Sequence, residues 1–345
     1  MSNTPSPPHR YSQFFLLFIF CTTAFIMAKS LDSGMADFQD NLYKRDWLIE
    51  QGNLFRITLK DRVYPNALIG KNGWMEYTSD GNIDDFQNVE GFKSKEDIAK
   101  KITSLNQYLN EQGISLVIVV APNKASIYPD KLPDQIKPLS AQTRLDSLIS
   151  YLGTNNPPLI VDLRPALRAA RQGQDVYYKT NTHWNGYGAF TAYTKIINVL
   201  ASSHPELQPY EAADFNLVTT DPGVQDISKL MNANFIKESS LYFTPKTTMV
   251  HTAQPEDYSG YNQFSQIPGS DLPTLLMFHD SFGATYLNDF LSLNFNKSHF
   301  IHLMSVSRYL NKESIQYFDP DIIIIEIVER DLEQLNRYLP DILLE

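Results

Sequence analysis

A serine that follows an apolar strand and opens a helix is the arrangement in which a hydroxyl can act as a nucleophile. The segment Leu275-Leu-Met-Phe-His-Asp-Ser281-Phe-Gly283 has that form. The Ser281 hydroxyl would be exposed there, and backbone N–H groups at the helix start could hold a developing oxyanion. The plain alternative is a helix N-cap, a position that favours Ser and Asp for structural reasons alone. A serine hydroxyl is a weak nucleophile without an adjacent base. His183, within Tyr178-Lys-Thr-Asn181-Thr-His183-Trp184-Asn185, is the natural base near neutral pH. A third group must orient the imidazole, and Asn181, two residues before it, is well placed. The alternative is an ordinary loop histidine. A third segment runs from Val119 to Tyr128 through Pro122-Asn123-Lys124. Lys124 could meet a substrate carboxylate or a backbone carbonyl; a solvated loop lysine is the alternative. If the segments meet in the fold, the chemistry they could support is that of a serine nucleophile with a histidine base.

Such groups need rigid elements to aim them, and the hydrophobic pattern supplies candidates. Leu116–Val120, Leu159–Asp162, Leu275–Phe278, His299–Leu303 and Ile322–Ile325 read as strands, several fully apolar as in a parallel sheet covered on both faces. Between and around them, helices are expected at 94–113, 141–152, 165–171, 186–200, 282–290 and 329–338. Ser94 is a candidate N-cap, with Asp97 completing an imperfect capping box. Strands alternating with helices indicate a doubly wound α/β sheet, and such sheets place their sites at the carboxyl ends of strands. Val63 to Tyr77 reads as two short strands around Lys71-Asn72-Gly73, preceded by a helical lead-in over 30–65. Residues 205–270 are polar, Pro-spotted and Tyr-rich, and read as an insertion beside the site.

Composition narrows the function. The net charge of −10 argues against a general nucleic-acid binder, which needs excess Lys and Arg for phosphates. The single cysteine, Cys21, lies in the apolar N-terminal segment and excludes an intramolecular disulfide, thiol catalysis and Cys-based zinc sites. No cofactor motif appears, neither a GxGxxG nor a phosphate-binding loop, and no metal is expected. His279 and Asp280 lack a partner at ligand spacing. His299 and His302 should point to opposite faces of their strand. Polar residues 1–12 read as a cytoplasmic tail. The apolar run from Phe14 to Ala28 reads as a signal anchor or signal peptide spanning 13–29, short for a spanning helix. Ile26 and Ala28 make a poor cleavage site, which favours the anchor. Residues 30–345 should then lie outside the cytoplasm, periplasmic or extracytoplasmic, and secreted if the segment is cleaved.

The ordered motifs resemble the SGNH-hydrolase-like domain of the alginate O-acetyltransferase (AlgX and AlgJ) group. That group carries Pro-x-Lys-x-x-x-Tyr after a strand, then Lys-Thr-Asp-Thr-His-Trp, then Gly-Asp-Ser-Phe, then a last strand of the type Pro-Asp-x-x-x-x-Glu-x-x-Glu-Arg. The matching stretches here are Pro122–Tyr128, Lys179–Trp184, His279–Phe282, and Pro320-Asp321 with Glu326, Glu329 and Arg330; Gly70–Trp74 is also similar. The likeness covers roughly residues 36–340, with the His block preceding the Ser block, a permuted order. It implies an SGNH-type three-layer α/β fold with a mainly parallel sheet. It implies Ser281 as the acyl-accepting nucleophile, His183 as base and the residue at 181 as third member. Lys124, Tyr128, Trp184 and Asp280 become candidate substrate contacts. It also implies a polysaccharide substrate, an acetyl donor that a membrane acyltransferase could supply, and attachment to the membrane through the N-terminal helix.

Two residues depart from the pattern. Asn181 stands where the group has Asp; an amide can orient imidazole but cannot balance its charge. In serine proteases, Asp→Asn at this position lowers kcat about 10⁴-fold. Asp175, Asp162 and Asp280 are candidate substitutes for the missing carboxylate. His279 replaces the group's Gly, adding bulk at a tight turn. The competing readings are a catalytically weak or inactive carbohydrate-binding or scaffold protein of a polysaccharide export system, and an acetylesterase.

Overall fold

Residues 20–25, 44–153, 159–246, 252–255, 262–305 and 310–340 are described by the structure, a computed structural model. The chain divides into two compact units, residues 1–61 with 232–234, and 62–231 with 235–345. In the first, residues 20–25 are helical and helix α1 covers Arg45–Thr58. Most of the expected anchor at 13–29, and the tail before it, lie outside the described residues. Among the described residues no helix is long and apolar enough to cross a membrane.

The second unit opens with β1 (Val63–Tyr64), β2 (Ala67–Ile69) and β3 (Met75–Tyr77), a small antiparallel sheet. Asn72 takes a left-handed conformation in the turn between β2 and β3 (φ 57°), as the Asn-Gly pair requires. One more strand is present than the sequence pattern suggests, because β1 is only two residues long.

Next come α2 (Asn82–Gln87), α3 (Lys95–Asn110), β4 (Ser115–Ala121), the single turn α4 (Lys124–Ile127), α5 (Arg144–Leu152), β5 (Ile160–Asp162), α6 (Arg164–Ala170) and α7 (Gly186–Leu200). The expected capping box at Ser94 does not form: the Ser94 side chain makes no cap bond. The Ser94 amide donates instead to Glu333. Thr143 and Asp146 form a full box at α5. After α7 come β6 (Phe215–Thr219), α8 (Asp226–Leu230), β7 (Leu241–Pro245), β8 (Thr252–Pro255), β9 (Gln263–Gln266) and β10 (Thr274–His279). The chain closes with α9 (Asn288–Leu291), β11 (Lys297–His302), α10 (Lys312–Phe318), β12 (Ile322–Val328) and α11 (Leu335–Tyr338).

The central sheet has the order β5-β4-β12-β10-β11-β9-β8. The pairs from β5 to β11 are all parallel; β9 and β8 add an antiparallel edge. Strand alternation divides its apolar residues between two cores. Val117, Val119, Met277, Ile322 and Ile324 face α6, α7 and α9. Leu116, Ile118, Phe278, Ile323 and Ile325 face α3, α5, α10 and α11. Every residue of β12 is buried, which is why this strand is an uninterrupted apolar run broken only by Glu326. The result is three layers, helices on both faces of a mainly parallel sheet, as expected. The 205–270 stretch contributes the β6–β7 hairpin and the β8–β9 edge.

Candidate active site

The carboxyl ends of β4, β10 and β12 lie side by side in the parallel register, and each projects a motif residue. Beyond β10, Ser281 is exposed because the chain turns sharply there. The Asp280 carboxylate accepts the Phe282 amide (2.7 Å) and the Val328 amide (2.7 Å). Glu326, fully buried on β12, accepts the amides of Asp280 (3.0 Å) and Gly283 (3.1 Å). A Cβ at Gly283 would run into His279 and crowd Glu326 Oε2, so glycine is needed at this close approach. Burial, and the neighbouring Asp280 charge, push the Glu326 carboxyl well above its ordinary range. Asp280, Phe282 and Gly283 have thus committed their amides to the side-chain carboxyl groups of Glu326 and Asp280. Among these described turn residues the Ser281 amide is not engaged by either carboxyl, and it remains a candidate donor to an oxyanion. His279 fits because its ring is buried and Nδ1 donates to the Asp280 carbonyl (2.7 Å).

The His183 loop is held from several sides. Tyr177 and Trp184 pair as an isolated bridge across its neck, and the Tyr177 hydroxyl donates to the Pro122 carbonyl at the end of β4 (2.6 Å). Lys124 is buried and donates to the carbonyls of Tyr178 (3.2 Å), Lys179 (3.4 Å) and Asn181 (2.8 Å). Of the two roles open to Lys124, the backbone-carbonyl one is observed. Burial lowers its ammonium pKa, while Glu76, Asp226 and Glu238 oppose that shift. Trp184 is fully buried and donates to the Thr285 carbonyl (2.8 Å); Tyr128 is buried and its hydroxyl accepts the Val176 amide (2.9 Å). The polar groups of Lys124, Tyr128, Trp184 and Asp280, the candidate substrate contacts, all make bonds within the protein. Their polar groups are engaged in holding the two loops together.

These ties bring three of the expected residues into line. His183 Nε2 lies 2.9 Å from Ser281 Oγ, and His183 Nδ1 lies 2.9 Å from Asn181 Oδ1. With Nδ1–H donating to the amide oxygen, Nε2 is left as the acceptor for the serine proton, the tautomer a general base requires. The Phe282 ring packs against the imidazole at 4.8 Å between centroids.

None of the carboxylates suggested by the sequence reaches His183. Asp162 is spent on Arg164 (2.9 Å), Asp175 lies 4.0 Å from Lys179, and Asp280 holds the turn. The carboxylate that arrives is Asp226, at the start of α8, with Oδ2 3.5 Å from His183 Nδ1. It accepts the Thr182 amide through both oxygens (2.9 and 3.1 Å). Burial pushes its pKa up, but His183 and the Thr182 amide more than offset this and hold it below the ordinary carboxylate range. No motif marks Asp226 in the sequence; only the fold brings it in.

Residues 67–284 match the family model for the SGNH hydrolase-like domain of the acetyltransferase AlgX. The chain belongs to that family. A protein described as "Probable alginate O-acetylase AlgJ" from Pseudomonas aeruginosa is 29% identical over 150 residues, 43% of this chain and 36% of that protein. The match thus spans about a third of that relative's length. The O-acetyltransferase domain of Pseudomonas putida AlgJ superposes with a TM-score of 0.52 at 17% identity, covering 79% of this chain and 99% of that one. Bacillus cereus PatB1 superposes with a TM-score of 0.55 at 19% identity, covering 77% and 96%. At these identities the superpositions establish the common SGNH-hydrolase-like α/β fold.

Proposed function

We propose that the protein transfers O-acetyl groups to hydroxyls of an exported or cell-surface polysaccharide, with Ser281 as nucleophile and His183 as base. The observation that carries this reading is the aligned Asn181–His183–Ser281 chain, with 2.9 Å at each step, at the carboxyl edge of a parallel sheet. Family membership supports the acetyl group and the polysaccharide acceptor.

In the first half-reaction Ser281 Oγ attacks the carbonyl carbon of the acetyl donor while its proton passes to His183 Nε2. In this reading the Ser281 amide donates to the oxyanion. The tetrahedral species collapses by breaking the bond to the donor, whose leaving oxygen takes the proton back from His183. In the second, a sugar hydroxyl attacks the acetyl-Ser281 carbonyl and gives its proton to His183. The Ser281 oxygen departs and recovers that proton. If water replaces the sugar, the same steps make an acetylesterase. The donor could be loaded by a membrane acyltransferase partner, with the anchor keeping the domain at the membrane surface.

Intact-protein mass spectrometry after exposure to a chromogenic acetyl ester tests the reading. The expected result is an acetyl adduct on Ser281 and release of chromophore, both abolished in Ser281→Ala. Undiminished turnover in Ser281→Ala would refute it. The second reading, a glycan-binding or scaffold protein without turnover, rests on the amide at residue 181. It is favoured if the protein binds glycan but forms no adduct.

A further inference from the structure

The amide at residue 181 is built into its surroundings. Asn181 Oδ1 accepts both the His183 backbone amide (3.0 Å) and the imidazole Nδ1–H (2.9 Å). Asn181 Nδ2 donates to Gln225 Oε1 (3.0 Å). Gln225 cannot turn its amide over to suit another neighbour, because its own Nε2 donates to the Glu238 carbonyl (3.0 Å) and meets Ser240 Oγ (3.3 Å). An oxygen therefore always faces residue 181 from Gln225. A donor is wanted there, and Asp would set a carboxylate against that oxygen. The neighbouring residue, Asp226, brings the negative charge that Asn181 lacks to within 3.5 Å of the same nitrogen.

We propose that the acidic function of this site has moved from position 181 to Asp226, leaving Asn181 to orient the imidazole and Asp226 to balance its charge. The proposal rests on the reading of Ser281 as nucleophile and His183 as base. Asp226 is a positioning residue, acting on His183 rather than on the reacting atoms. Its place is set by the Thr182 amide and by its own α8 start, where the Ile227 amide also donates to it (2.6 Å). The groups that face the imidazole are Asn181 from its own loop, Asp226 from α8, and Ser281 and Phe282 from the turn after β10. Lys124, from α4, is the buried cation whose charge reaches Asp226, and Glu238 in turn acts on Lys124. When Nε2 takes the serine proton, the positive ring finds a carboxylate within reach, which an amide alone cannot offer.

The proposal makes the two positions interdependent. Asp226→Asn keeps an oxygen for the Thr182 amide, so the loop is retained and the charge alone is removed. It should lower kcat/KM about 10²-fold or more. Asn181→Asp alone should give no gain, because it opposes Gln225 Oε1 and crowds a second carboxylate beside Asp226. The double variant, Asn181→Asp with Asp226→Asn, should recover at least about tenfold over Asp226→Asn. An NMR titration of His183 provides a readout that needs no turnover: its midpoint should be lower in Asp226→Asn than in the wild type and be kept in Asp226→Glu. If Asp226→Asn fails to fold, the comparison of wild type with Asn181→Asp and Asp226→Glu still decides. An unchanged His183 midpoint in Asp226→Asn overturns the proposal, as does a large gain from Asn181→Asp alone. Absence of Ser281-dependent acetyl transfer in the wild type would overturn the functional reading instead, while the titration would still judge Asp226.

Discussion

The two ends of helix α7 invite comparison, because each has a histidine bonded to a serine. Before its start, His183 meets Ser281 at 2.9 Å; beyond its end, His204 Nε2 meets Ser115 Oγ, also at 2.9 Å, and His204 Nδ1 lies 3.3 Å from Glu206. The second set even borders a cavity of about 270 Å³ lined by Asn106, Asn110, Leu200 and Ser203 among others. By hydrogen bonds alone the two are hard to tell apart. Their placement separates them. Ser115 is the first residue of β4, with its amide bonded to the Asp321 carbonyl, so that N–H is spent on the sheet. Ser281 lies two residues beyond the end of β10 and keeps its amide at a turn braced by Asp280 and Glu326. A serine–histidine contact becomes a reactive site through what surrounds it, above all a spare donor where an oxyanion would form.

The largest expected effect tests that contrast directly. His183→Ala should lower acetyl-ester turnover by about 10³-fold or more, while His204→Ala should leave it within about twofold; steady-state kinetics on both variants gives the answer. Equal losses would erase the distinction drawn between the two ends. A middle-sized effect is expected from Lys124→Met, which preserves length but strands three carbonyls. It should lower kcat about 10-fold to 10²-fold, with a smaller change in KM, since the loop it holds carries His183. Loss confined to KM would return Lys124 to the substrate.

The smallest effect concerns the buried acids beneath the site end of the sheet. Asp85 accepts Asn123 Nδ2 (2.7 Å). Burial, reinforced by the nearby Glu329, pushes its pKa up to about 7 from 3.8. A carboxyl raised on folding holds its proton more tightly in the native state. It therefore favours that state at low pH and loses the advantage as pH climbs from about 4 to about 7. Asp85→Asn removes this dependence. Between pH 5 and pH 8 the variant should lose less Tm than the wild type, by about 2–4 °C, measured by differential scanning calorimetry. A parallel decline in both proteins would refute it.

Much of this layout was legible in the sequence wherever local pattern and tertiary role agree. Helix α7 begins and ends as its apolar spacing suggests, because it packs along its whole length on one core. β4, β10 and β12 were visible as apolar runs because both of their faces are covered. The polar hairpin β6–β7 was not, since three of the five residues in β6 are exposed and pairing, not burial, defines it. The helix expected over 282–290 is broken into a wider turn over 283–287 before α9, with Tyr286 at φ 68°. Its cause is non-local: the Tyr286 hydroxyl lies 3.1 Å from that of Tyr178, and its ring stacks near Tyr242. Asp226 was hidden for the same reason. Its partner His183 lies far back along the chain, and neither residue's neighbours announce the pairing.

The buried Lys124 carries a consequence for the order in which the molecule comes apart. Its three carbonyl bonds, like the contact of Asp226 with His183, join segments that lie outside the ladder of the central sheet. The Lys124 bonds close 54 to 57 residues, a shorter span than the β4–β12 pairing of Ser115 with Ile322, so the sheet carries the larger cost in chain entropy. Local opening of these clasps would disturb the Asn181–His183–Ser281 alignment while the sheet stays paired, so the proposed activity should be lost before the fold is.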